Sequence, residues 1–159
     1  MIFSASYGTW AKISTTIIVV LFFTLGGIEI WDDEPASGFM SVMPFALILV
    51  VAFAYLFSVK NYEVTDRELI IHKPFGKTIY PRNEIETVQQ IDRRLLRFAI
   101  RTFGIGGVFG YYGEFYTGKL GSMTWYRTQL SNPVMIRTAK KKIVFSPDDP
   151  EKLIAALQP

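Results

Sequence analysis

Four arginines, Arg93, Arg94, Arg97 and Arg101, stand at i, i+1, i+4 and i+8 in a stretch with no acidic residue between Asp92 and Glu114. A guanidinium group is a permanent cation whose planar fork fits phosphate and carboxylate oxygens. The chemistry on offer is therefore the binding of anions rather than the making of bonds. Leu95, Leu96, Ala99, Ile100 and Phe103 share the other side at helical spacing. Together these residues predict a basic amphipathic helix over 92–103. Such a helix can lie in a lipid headgroup layer, apolar side down. It can equally pack on a domain and leave its arginines in water. From residue 93 to residue 142 ten basic groups face one acidic group, Glu114. Lys140, Lys141 and Lys142 close that stretch. They read as a hairpin tip, either solvated or in electrostatic contact with lipid or an acidic partner.

A second candidate follows the arginines. Phe103, Phe109, Tyr111, Tyr112, Phe115 and Tyr116 are interleaved with five glycines between 104 and 113. A phosphate-binding loop needs a Lys-Ser/Thr ending, and a dinucleotide fingerprint would need a small residue where Phe109 stands. Nucleotide binding is set aside. The glycines are expected to allow tight turns between bulky rings. The rings can pack on the domain, dip into a membrane interface or form a partner surface.

Enzyme chemistry finds little support. There is no cysteine, so thiolate nucleophiles, thiol metal sites and disulfides are excluded. His72 is the only histidine, and no serine or threonine has an evident base. Asp148, Asp149 and Glu151 fit a helix cap rather than a metal site. No catalytic residue, metal or cofactor is expected.

These segments need elements to position them, and the first elements are apolar. Residues 13–28 and 39–59 carry no charge. About 20 helical residues cross a bilayer core, and the first run reaches that length if Trp10 and Ala11 are counted and Lys12 snorkels. Two membrane spans, about 10–30 and 39–59, are expected around an acidic turn at 31–38. Residues 1–59 carry one basic and four acidic groups, a net of −3; residues 60–159 carry sixteen and ten, a net of +6. Lys12 and Lys60 flank the spans, and the turn has no basic residue. The positive-inside rule then puts both termini in the cytoplasm and the turn outside. Trp10 and Trp31 stand where interfacial anchors belong. Gly26-Gly27 either allows close helix approach or ends the first helix.

Beyond Lys60 the pattern changes to short alternating runs. Strands are expected at 62–64, 69–71, 78–80, 87–91, 123–126, 134–137 and 142–145. Turns at 65–67, 74–77, 131–133 and 138–140 separate them as an antiparallel meander. Asp149 can cap a last helix with Pro150 in its first turn, and Leu153, Ile154 and Leu157 share one face. Such a helix plugs the open mouth of a small curved sheet.

This order resembles the pleckstrin-homology fold, and in particular the bacterial PH-like domains carried on an N-terminal transmembrane hairpin. The resemblance rests on 62–65 with 69–71, on the glycine-aromatic run 101–121, and on 146–150 ahead of the last helix. It implies a fold rather than an activity. Eukaryotic relatives bind inositol phospholipids through a basic first loop. Here that loop, 65–68, is short and mixed in charge, and the next offers only Lys73 and Lys77, so that property does not carry over.

The expectation is thus an α+β protein. Residues 1–60 form a transmembrane hairpin, and 61–159 a cytoplasmic PH-like domain of about seven antiparallel strands closed by a C-terminal helix, in a bacterial inner membrane. The expected role is a non-catalytic binding or scaffold module. Its partners are the bilayer, anionic headgroups, and a protein partner or further copies of itself, with nucleic acid the weaker option. The rival expectation is a structural or regulatory subunit of a larger membrane complex or homo-oligomer. The candidate contact residues are Arg93, Arg94, Arg97, Arg101, Phe103, Phe109, Tyr111, Tyr112, Lys140, Lys141 and Lys142.

Overall fold

The computed structural model describes residues 1–31 and 38–158, with side chains for all of these except 22–23, 25–31, 38–45 and 47. Most of the expected acidic turn lies outside the described residues. Strand β1 (Ile2–Ser4) precedes helices α1 (Thr9–Trp31) and α2 (Gly38–Leu56), which lie against one another. Strands β2 (Asn61–Val64), β3 (Glu68–His72), β4 (Lys77–Pro81) and β5 (Ile85–Gln90) follow. Next come β6 (Ile100–Gly106), β7 (Tyr111–Thr117), β8 (Gly121–Arg127), β9 (Val134–Thr138) and β10 (Lys142–Phe145), then helix α3 (Pro150–Leu157). Helix α1 runs through Gly26-Gly27 to Trp31, so the glycines do not end it. Among the described residues, no helix is long and apolar enough to cross a membrane.

The strands form two sheets, ordered β1-β2-β3-β4 and β5-β9-β10-β8-β7-β6. Three of the ten strands among the described residues, β1, β6 and β7, go beyond the expected seven. Two differences from the expected meander have structural causes. Strand β1 pairs with β2 through Ile2↔Glu63, Phe3↔Tyr62 and Ser4↔Asn61, so residues ahead of the helices belong to the first sheet. Strand β10 runs parallel to β8, because the loop after β8 passes β10 and returns through the β9–β10 hairpin. Ser146 at the end of β10 holds that loop, its hydroxyl accepting from the backbone N–H of Thr128 at 2.9 Å and of Gln129 at 3.2 Å.

Alternation along β9 and β10 divides the interior in two. Val134, Ile136, Ile143 and Phe145 point between the sheets, where they meet Tyr62, Leu69 and Ile71. Met135 and Val144 point to the other face and join Phe115, Met123, Trp125 and Leu96. Helix α3 closes the first core with Leu153 and Leu157. Its start is as expected: the Asp149 carboxylate accepts from the Lys152 N–H at 3.2 Å, and Pro150 sits in the first turn.

Candidate functional site

The arginine segment is not a helix. Asp92 caps a single 3-10 turn, Arg93–Leu96, by accepting from the Arg94 N–H at 2.8 Å. Leu96 is buried in the second core, and Arg93, Arg94 and Arg97 are left exposed around it. Helical spacing fails from there because Ile100, Thr102 and Phe103 suit extended backbone and find a partner strand in β7. Arg101 therefore stands on strand β6. That strand is the outer edge of its sheet, and it exposes large apolar side chains together with the turn before it: Phe98 of the turn and Ile100 and Phe103 of the strand are 81%, 67% and 78% exposed. The Arg97 guanidinium lies over the Phe98 ring at 5.4 Å. Arginines and exposed rings thus alternate along one edge, the amphipathic character expected of a helix carried by a turn and a strand.

Behind the turn lies an open cleft of about 550 Å³, lined by Asp92, Arg93, Arg94, Arg97 and Arg127 together with Leu96 and Leu130. Arg127 was not among the expected site residues. Its place on β8 puts it on the inward parity of Met123 and Trp125, and that period of two is the signal that could have found it. It is 1% exposed, and its guanidinium lies 4.8 Å from the Trp125 ring centroid. Its Nε and Nη2 have no hydrogen-bond partner. Burial pulls its pKa down to about 10, so it remains a cation at neutral pH.

The glycine-aromatic run is a β-hairpin of β6 and β7 rather than a string of turns. Gly104 and Gly113 face each other across it with φ of +109° and +123°. A Cβ on either would drive into the backbone of the opposite strand. The hairpin tip, closed by Gly107 N–H donating to the Gly110 carbonyl at 2.8 Å, docks on the helices. Ser14 Oγ donates to the Gly107 carbonyl at 2.6 Å, and the Phe109 N–H donates to Thr15 Oγ1 at 3.1 Å. The Phe109 ring meets Tyr55 edge-on at 5.3 Å. Tyr112 is buried and donates its hydroxyl to the Ala54 carbonyl.

The aromatic candidates therefore separate. Phe109 and Tyr112 join the domain to α1 and α2. Phe115 stacks on Trp125 in the second core at 4.0 Å. Tyr111 is half-buried, paired in register with Arg127. Phe103 stays on the exposed edge.

The lysine triplet also divides. Lys140 and Lys141 are exposed at the β9–β10 turn, which the Thr138 N–H closes on the Lys141 carbonyl at 2.9 Å. Lys142 belongs to β10 and donates Nζ to the Leu120 carbonyl at 2.5 Å. None of the three lines the arginine cleft. Among the described residues, no group of side chains could hold a metal ion.

A family model described as Bacterial PH domain matches residues 60–159, well over half of the chain. No curated protein and no solved structure matches it.

Proposed function

The chain belongs to the bacterial PH-domain family, and we propose that it is a non-catalytic binding module held at the bacterial cytoplasmic membrane by its two N-terminal helices. The β6 edge of the domain faces an anionic lipid surface. The observation that carries this reading is the juxtaposition of exposed Phe98, Ile100 and Phe103 with Arg94, Arg97 and Arg101. Apolar rings suit the acyl boundary and guanidinium groups suit the headgroups.

Anchoring by the helices is supported by the apolar runs 13–28 and 39–59 and by exposed apolar side chains on both helices. Ile17, Val20 and Leu21 of α1, and Leu49, Val50 and Phe53 of α2, are each more than half exposed. An apolar face of that kind calls for lipid or a partner. Both termini are then cytoplasmic, since Lys12 and Lys60 flank the helices. The hairpin tip on Ser14, Thr15 and Tyr55 holds the domain at the cytoplasmic helix ends. For a tethered domain even a weak surface affinity sets orientation.

The unpaired edge of β6 favours a second reading, in which a partner or a second copy adds a strand there. Amide hydrogen exchange of the full chain in lipid nanodiscs distinguishes the two. The lipid reading predicts protection of 98–103 in anionic discs, lost in neutral discs and weakened by high salt. Protection that ignores lipid charge and salt but falls on dilution would instead mean strand addition.

A further inference from the structure

Arg127 poses a problem that its surroundings do not solve. A buried charge is normally paired, because desolvation is costly without a counter-charge. Among the described residues the close contacts between acidic and basic side chains are His72–Glu63 and Lys152–Asp149, and neither involves Arg127. Its Nε and Nη2 are buried without a partner, and it forms part of the wall of the arginine cleft. Three more arginines, Arg93, Arg94 and Arg97, line the same space against one carboxylate, that of Asp92. That carboxylate already accepts the Arg94 N–H of the turn. The cleft thus carries four positive charges against one negative.

We propose that this cleft binds a phosphomonoester, with Arg127 as the buried anchor and Arg93, Arg94 and Arg97 at the mouth. A dianion matches the net charge better than a single carboxylate does, and arginine forks fit its tetrahedral oxygens. Leu96 and Leu130 line the same cleft and suit the apolar part of an ester. The site goes beyond the surface reading above, which uses the outer edge of the domain and assigns Arg127 no part. The phosphomonoester could be a soluble ester or the headgroup of phosphatidic acid.

The test is titration of the full chain in neutral-lipid nanodiscs with inorganic phosphate at constant ionic strength. The readouts are the melting temperature and the indole N–H resonance of Trp125, which stacks against Arg127. A saturable shift in both is expected. Arg127→Met keeps an apolar stem over Trp125 and should fold but lose the shift. The exposed-residue variant Arg94→Gln/Arg97→Gln should weaken binding about tenfold. Lys119→Gln, exposed and outside both the cleft and the β6 edge, should match the parent. Discs containing phosphatidic acid identify the source. If they compete with phosphate and phosphatidylglycerol discs do not, the headgroup is the ligand; if neither competes, it is a soluble ester. Failure of the surface reading leaves the phosphate response in neutral discs unaffected. The proposal is overturned if the parent responds to neither phosphate nor phosphatidic acid. It is also overturned if Arg127→Met binds like the parent. Should Arg127→Met not fold, undiminished binding by Arg94→Gln/Arg97→Gln overturns it instead.

Discussion

Tyr112 and Ala54 are joined by a buried hydrogen bond between strand β7 of the second sheet and the last turn of α2, across 58 positions of chain. With Phe109 against Tyr55, it makes the sheet domain and the helix pair one packed unit. Tyr112→Phe removes the donor and keeps the ring, and should cost about 1 kcal/mol. Phe109→Ala should cost more and free the tip from the helices. Thermal unfolding of the full chain measures the first effect, and faster amide exchange at Gly107–Gly110 reports the second.

Gly104 and Gly113, like Gly110 at the tip, are positions in the hairpin where a side chain has no room. Gly104→Ala or Gly113→Ala combines positive φ with a backbone collision, and each should destabilise by roughly 2 kcal/mol or more. Gly118→Ala is the control, since a Cβ there meets nothing within 4 Å. It should leave the melting temperature unchanged.

The N-terminal strand makes removal of residues 1–5 costly. The Met1 amino group donates to the Val64 carbonyl at 2.6 Å, and Phe3 is buried in the first core. Phe3→Ala alone should cost about 3 kcal/mol. A fragment beginning at residue 61 should therefore melt well below the full chain, which differential scanning calorimetry can check.

Alkaline pH should weaken the fold through Tyr62. Burial pushes its phenol up to about 12, and hydrogen bonding with Ser146 only partly offsets this. The unfolded phenol titrates near 10. The raised pKa contributes stability that is present in full below about pH 10 and lost as pH climbs towards 12. Arg127, depressed by burial, acts in the opposite sense above pH 10. Comparison with Tyr62→Phe isolates the phenol. That variant should be less stable at pH 8, having lost the bond to the Tyr126 carbonyl at 2.7 Å, and should decline less steeply above pH 10. Unfolding curves at pH 8 to 11 test both.

What the residues alone reveal depends on how local the cause is. Strands β2 to β5 and β8 to β10, and the Asp149-capped helix, are legible because alternation, turns and caps act over a few neighbours. Strand β1 is hidden because its partner lies some sixty positions away. The 92–103 segment is ambiguous, since Leu95, Leu96, Ala99, Ile100 and Phe103 satisfy a helical face. The decision for a strand comes from pairing with β7, whose Tyr, Phe and Thr residues suit a strand but whose register with 100–106 is set across the hairpin and not by helical or strand spacing within 92–103. The parallel β8–β10 pairing is a matter of sheet order, which spacing does not encode. Arg127 is the clearest omission: its parity marks it as inward-facing, but the expected strand stops one residue short of it.

The claim that the β6 edge lies against an anionic membrane is tested most directly by the depth of Phe98. The chain has no cysteine, so Phe98→Cys carries a nitroxide at one site. Its accessibility to oxygen and to a water-soluble relaxant would be measured with the full chain in phosphatidylglycerol and phosphatidylcholine discs. The account predicts a label within the headgroup–acyl boundary in the anionic discs and in water when Arg94, Arg97 and Arg101 are changed to glutamine. A label equally exposed to water in both lipids would contradict it.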